Sequence, residues 1–448
     1  MRQSSCLRDF IKYSSFNVMG MLGLSCYILA DTFFVSKGLG ADGLTALNLA
    51  IPVYSFIHGR GLMIGMGGGT MYAISKSRGD HDGANRTFTT AAFLIAVFAA
   101  VFFLLGLFCS ELITGLLGAD ASVFQMCRTY LRVILLFAPA FMTNNLLLCF
   151  VRNDGAPQLS MMAMIGGSLS NIVLDYLFIF PFQMGIFGAV FATGLAPVIS
   201  MLILSPYFIR KRNAFHLCKC RLLGRLPFRI LTTGLPSLIT EVSSGIVMIV
   251  FNLIIMRLQG KIGVAAYGII ANLSLVVIAA YTGIAQGIQP LISSSYGAGL
   301  HANMRKILRY ALTTLVLLSA AIYASVFFGA EQITALFNSE QNPVLQEIAV
   351  PGLRYYFTAC LFAGFNIILS FYFTSSERRL PAQVISILRG FALILPLAFL
   401  LSSVWGMTGV WCVFPTTELL VSMIAVILLL LQDREKQTKQ CTNIQQGK

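Results

Sequence analysis

Apolar runs long enough to cross ~30 Å of hydrocarbon, at ~20 residues each, can be laid out twelve times along this chain. They fall at about 16–37, 45–74, 86–109, 122–151, 157–181, 186–210, 227–258, 263–296, 304–328, 344–375, 381–404 and 407–431. Backbone placed in lipid has no water to bond, and a helix satisfies its own amides and carbonyls. Charged residues make up 11% of the chain, against roughly 25% in a soluble domain, and the mean hydropathy is +0.81. The expected fold class is an all-α polytopic membrane protein with twelve transmembrane helices. The basic first segment leads into a span with no small-residue cleavage site, so it is read as a retained first helix.

The net charge of +14 finds its explanation in topology. Twenty-three Lys and Arg fall on the side that holds the N terminus, Arg152 among them, and six on the other: Lys37, Arg128, Arg132, Arg257, Lys261 and Arg354. That bias predicts a cytoplasmic first side in a cell inner membrane, with both termini inside. No basic stripe with interleaved aromatics marks a nucleic-acid surface. The ten cysteines are scattered without a CxxC pair or a Cys/His cluster, so neither a disulfide nor a metal site is expected.

The longest basic connection, IRKRNAFHLCKCRLLGRLPFR, separates six spans from six. It divides the chain into an N-lobe (1–209), a cytoplasmic linker (210–229), a C-lobe (230–431) and a cytoplasmic tail (432–448). At an ungapped offset of 220, Gly40 meets Gly260, Gly43 meets Gly263, Ala46 meets Ala266, Ile64 meets Ile284, Gly67 meets Gly287, Ser75 meets Ser295 and Gly79 meets Gly299. At 221, Gly185 meets Gly406 and Gly188 meets Gly409. Such coincidence at one offset points to duplication. With an even number of spans, both copies enter the membrane from the same side. The implied architecture is two pseudo-symmetric six-helix lobes about an axis along the membrane normal, with a central cavity between them.

Of 17 carboxylates, only Asp31, Asp175, Glu241 and Glu418 fall well inside spans. Ionisable groups there are expensive and mark working sites by default. In LSNIVLDYLFIF, Asn171 and Asp175 are four residues apart and share a helix face. Asp31, Asp175 and Thr193 all lie ~10 Å below the non-cytoplasmic boundary at 1.5 Å per residue. Two carboxylates, an amide carbonyl and a hydroxyl form either a set of hard oxygen ligands or a proton-sharing pair, and a proton or a cation must relieve the like charges. That is the chemistry of ion coupling. The bland alternative for Asn171 and Thr193 is an interhelical hydrogen-bond cluster.

Glu241, in the middle of the seventh span, is placed either to meet an organic cation in the cavity or to pair with Arg60 or Arg389. Glu418 reads as structural. Met66 and Gln286, with Glu241 and Arg60, are the candidates to line a substrate cavity, methionine being adaptable to many shapes. GMGGG at 65–69 follows no strand, and the chain has no GK[ST], so close helix packing is its expected use. An integral-membrane enzyme would need a nucleophile and base or a metal cluster, and none of the four histidines (58, 81, 216, 301) lies near a plausible partner in sequence.

Several long motifs in order, ADTFFVSKGLG (30–40), IGMGGGTMYAISKSRGD (64–80), FVRNDGAPQLSMMAM (150–164), SNIVLDYLFIFP (170–181), GIFGAVFATG (185–194), GLPSLITEVSSGI (234–246) and QGIQPLISSSYGAG (286–299), give the chain its likeness to a known family. It resembles the multidrug and toxic compound extrusion (MATE) transporters, in their MepA-like branch, over nearly its whole length. The resemblance implies export of lipophilic, often cationic drugs in exchange for Na+ or H+, with no cofactor and no obligate protein partner. It places the family's N-lobe cation site on Asp31, Asn171, Asp175 and Thr193, the residues that equal depth had grouped. The first span lacks the proline about which some relatives bend that helix, leaving Gly20 and Gly23, and the tenth lacks the acid of another branch. A second reading, within the same wider superfamily, is a flippase for a lipid-linked saccharide.

Overall fold

The structure is a computed structural model that describes residues 3–220, 224–338 and 342–446, with side chains described for 6–40, 42–220, 224–338 and 342–431. Residues 221–223 of the linker and the side chains of the tail lie outside these ranges. The described residues form helices and no strand.

Nine helical runs among them are long and apolar enough to cross a membrane, counting Phe124–Leu136 and Ala138–Asp154, bent by 46°, as one. Glycine breaks divide two of these runs, and residues 41–77, less apolar, add another, so twelve helices stand side by side. They are α1 (3–39), α2 (41–77), α3 (His81–Phe108), α4 (Phe124–Leu136 with Ala138–Asp154), α5 (Pro157–Ile179) and α6 (Gly185–Ile209) in the first lobe. The second lobe holds α7 (225–259), α8 (261–297), α9 (His301–Phe337), α10 (Pro343–Ser375), α11 (379–405) and α12 (407–446). Proline opens α5 and α10, where its missing N–H costs nothing.

Three pairs of the duplicated glycines are points at which the chain turns. Gly40 (φ 68°, ψ −156°) separates α1 from α2, and Gly260 (φ 60°, ψ −152°) separates α7 from α8. Gly79 and Gly299 (φ 77° and 73°) lie in the next connection of each lobe, and Gly185 and Gly406 (φ 61° and 56°) stand where α6 and α12 begin. Those backbone angles are open to glycine and strained for residues with a Cβ. The helical turns of α1 before Gly40 run without a break. Gly20 and Gly23 serve close packing instead, since a Cβ on them would lie 3.1 Å from Met164 Sδ and 3.3 Å from Ile165 Cγ1 of α5.

There are two apolar cores, one built from α1–α6 with Ile230 and Leu238 of α7, the other from α7–α12 with Cys6 and Phe10 of α1. The lobes meet backbone to backbone through small residues. A Cβ at Gly67 would strike the Ile230 carbonyl, one at Gly234 the Met63 carbonyl, and others at Gly283, Gly287 and Gly297 the backbone of Val18, Ser14 and Ile74. All these contacts fall in the halves of α1, α2, α7 and α8 nearest the end that holds the N terminus, here called the basic end. Glycine at such a crossing lets helices approach where a side chain would hold them apart.

The connection after α6 packs on the first lobe. Phe215 is 1% exposed, in a cage of Tyr72, Phe88, Phe150 and Phe208. The backbone amides of Ala214, His216 and Cys218 donate to Asp154 Oδ2 (2.9 Å), Asn85 Oδ1 (2.8 Å) and Thr89 Oγ1 (3.0 Å).

Candidate functional site

Asp31 of α1 and Asp175 of α5 meet, with their carboxyl groups within hydrogen-bonding reach of each other. Both are buried, Asp31 at 8% exposure and Asp175 at 0%. A hydrogen bond between two carboxyl groups requires a proton on one of them, since an ionised carboxylate only accepts. Among the described residues Asp31 makes no ion pair with Lys, Arg or His. Asn171, one turn before Asp175, is also fully buried. Thr193 of α6 donates to the Ala189 carbonyl at 3.1 Å and shares a second hydrogen bond with Tyr130 of α4. Tyr130 stands close enough to both aspartates to feel their charge, and Tyr27, hydrogen-bonded to Tyr54 at 3.1 Å, flanks Asp31. The tyrosines had no signal in the sequence, since a phenol in an apolar run is compatible with core, interface or lipid.

A cavity of about 120 Å³ runs from Thr193 towards the basic end. Glu241, Gln286, Tyr54, His58, Asn145 and Arg152 contribute to its wall. Glu241 lies 3.4 Å from His58 Nδ1, a partner from α2 that is 183 residues away in sequence. Arg60 does not meet Glu241. Its guanidinium sits over the rings of Phe56 (4.8 Å) and Phe98 (5.0 Å), away from the cavity wall, because the face of α2 that carries it turns towards α3. Met66 is not on the wall either. It is 1% exposed, and its sulfur accepts from Arg152 Nη2 at 3.3 Å. Met21 and Met164 line the cavity. A larger groove of about 480 Å³ between α3 and α4 is lined by apolar residues and Thr143, with no titratable group.

Arg389 of α11 belongs to Glu418 of α12, with which it forms an ion pair, and not to Glu241. Asn366 of α10 donates to Glu418 Oε2 at 2.7 Å and to the Glu418 carbonyl at 2.9 Å, and Ser422 donates to Asn366 Oδ1 at 3.1 Å. Glu418 is fully buried. Arg389 lies in a π-helical turn at residues 388–392, one of the local devices by which a helix re-aims a side chain.

Arg152 also stands elsewhere than its place beside the charged connection suggests. It is 2% exposed and reaches inward to Asn17 of α1 and Gln286 of α8. Neighbouring Asn153 donates to Gln289 Oε1 (3.0 Å), whose amide donates to Thr70 Oγ1 (3.0 Å), so polar bonds tie the lobes at the basic end.

Twelve helices in two like lobes, a buried carboxyl pair in one of them and a cavity between them define a multi-pass membrane transporter rather than an enzyme. More particularly, the chain belongs to the MatE family, whose model matches residues 18–177 and 236–400. It is 26% identical over 437 residues to the multidrug export protein MepA of Staphylococcus saprophyticus, covering 96% of this chain and 95% of that one. The Staphylococcus aureus (strain MSSA476) protein of the same name is 25% identical with the same coverage. Among solved structures, the outward-facing conformation of a multidrug resistance MATE family transporter of the MOP superfamily superposes with a TM-score of 0.89, at 23% identity over 95% of each chain. A MOP superfamily transporter from Pyrococcus furiosus, reported for the reverse polarity of its binding pocket, gives 0.87 at 23% identity over 95% of each chain.

Proposed function

We propose that this protein is a cation-coupled antiporter that exports lipophilic, often cationic drugs by alternating access across a cell inner membrane, with both termini cytoplasmic. The observation that carries the reading is the meeting of the Asp31 and Asp175 carboxyls in a buried, oxygen-rich pocket. One proton is the least that such a pair must hold, and a small cation bound by the same oxygens, with Asn171 and Thr193, is the alternative load. Two further observations support export. The relatives matched over almost the full chain are multidrug export proteins, and the backbone contacts between lobes crowd the basic end. Lobes sealed at the cytoplasmic side correspond to the state that releases drug outward.

In this cycle the coupling ion binds from outside, and its preference for one state of the lobes shifts their equilibrium. Only differential affinity does so, and a tenfold bias needs about 1.4 kcal/mol. Glu241, held near His58 on the cavity wall, would face the drug's positive charge. At about 120 Å³ the cavity is smaller than the roughly 300–1,000 Å³ of drug-sized sites, so the lobes must part to admit a substrate. The test is efflux of ethidium from energised vesicles under a Na+ gradient and, separately, a pH gradient, in wild type and Asp175→Asn. Transport under one gradient and its loss in the variant are expected. Wild-type vesicles that move dye under neither gradient would contradict the reading.

A further inference from the structure

Arg60 lies at the centre of the second span, ~20 Å along α2 from either boundary of the 45–74 run, too far for its side chain to snorkel to water. Ionisable groups at that depth are costly, and they pair within the protein or face a water-filled cavity. Arg60 does neither. Among the described residues it makes no ion pair, and its Nε has no hydrogen-bond partner. It is not on the wall of the cavity between the lobes. Its neighbours are the rings of Phe56 and Phe98, at 4.8 and 5.0 Å, whose faces attract a cation but bring no counter-charge.

Helix rotation keeps the charges of the lobe interface away from it. A Cβ at Gly59 would lie 3.0 Å from Leu238 Cδ1 and 3.1 Å from Glu241 Cβ of α7, so that position faces the other lobe. Arg60 comes ~100° further round the helix, and His58, the partner of Glu241, lies ~200° from it. The helix it faces, α3, has no ionisable residue after Arg86. Phe56, and Val97 and Val101 beside Phe98, are 38%, 42% and 49% exposed, and Arg60 itself is partly exposed. In a membrane that surface faces acyl chains, so the counter-charge has to come from the bilayer. A phosphodiester head keeps its charge and stays at the interface. A carboxyl group sheds its charge by taking up a proton, and one acyl chain carries it into hydrocarbon. With Nε enclosed, the two Nη groups are the donors that match the two oxygens of a carboxylate.

We propose that Arg60 is the head-group ligand of an intramembrane site for a single-chain fatty acid, which sets its carboxylate on the guanidinium and lays its chain along the exposed surface of α2 and α3. The site stands off the drug cavity, so its occupant is a lipid held by the protein and not cargo, and the inference does not depend on the export reading. It is tested by equilibrium binding of radiolabelled oleate to the purified full-length protein in detergent, at a pH where the acid is ionised. Unlabelled oleate, oleyl alcohol and dioleoylphosphatidylglycerol are the competitors. Wild type should bind oleate saturably, with oleyl alcohol competing at least tenfold more weakly than oleate and the phospholipid not competing. Arg60→Met should lower oleate affinity at least tenfold and remove the preference over the alcohol, and Arg60→Lys should lower it less. Arg60→Gln, which keeps a polar head in place, guards against a misfolded Met variant and should lose as much. The preference for acid over alcohol is a readout that a merely structural Arg60 would not move. Oleate bound equally by wild type, Arg60→Met and Arg60→Gln, or displaced equally by the alcohol, overturns the proposal. Displacement by the phospholipid as effective as by oleate overturns the assignment to a fatty acid.

Discussion

The two lobes repeat each other in backbone and differ in charge. Gly40 and Gly260 break their helix pairs at nearly the same angles, as do Gly79 and Gly299. The buried acids follow no such symmetry. In the first lobe Asp31 meets another carboxyl, Asp175, with a phenol and a hydroxyl nearby. In the second lobe Glu418 is held by the Arg389 guanidinium and the Asn366 amide, and Ser422 completes the set. A carboxylate with a cation built beside it is neutralised for good, while a carboxyl pair must take its proton or cation from outside. Under the proposed antiport, ion exchange falls to the first lobe and a fixed internal charge to the second, on a scaffold that geometry alone makes equivalent.

Altering each acid in turn sharpens that contrast. The largest effect is expected for Asp175→Asn, which keeps the shape and removes the second ionisable carboxyl. Gradient-driven efflux should fall at least tenfold at matched abundance, with the thermal transition of the purified protein preserved. Glu418→Gln should do the opposite. Removing one partner of a buried pair leaves the other charge uncompensated and costs ~3–5 kcal/mol, visible as a lower melting temperature and reduced yield. Replacing both partners, Arg389→Met with Glu418→Leu, should recover most of that loss, because a well-packed apolar pair is often neutral or better. A double variant as unstable as Glu418→Gln would mean that the pair does more than neutralise itself. The smallest effects probe the symmetric part. Gly40→Ala and Gly260→Ala should each cost ~1–3 kcal/mol in thermal or denaturant unfolding, from backbone strain alone, since nothing lies within 4 Å of either Cβ position. Unequal costs would break the equivalence of the two turns.

Much of this arrangement was legible in the chain because hydrophobic length and glycine position are local properties. The twelve spans follow from the first, and the offset of 220 located in advance the very glycines whose angles turn the chain. Depth along a helix brought Asp31 and Asp175 together correctly. Depth does not fix the direction a side chain takes, and there the reading failed. Arg152 counted with the cytoplasmic charges because it lies two residues from the end of α4, yet it turns inward between the lobes. Arg60 and Arg389 were both offered to Glu241, but the helix faces that carry them turn to aromatic rings and to Glu418. His58 looked partnerless because its carboxylate comes from the other lobe. Contacts across helices far apart in sequence depend on rotation about each axis, which an almost uniformly apolar composition does not encode.

The central claim is that coupling resides in the first lobe alone. It is tested most directly by gradient-driven efflux in reconstituted vesicles, comparing Asp31→Asn and Asp175→Asn with the Arg389→Met, Glu418→Leu double variant. The account predicts that both aspartate variants lose the response to the driving gradient while the double variant keeps it. Retained coupling in the aspartate variants, with coupling lost in a folded double variant, would contradict it.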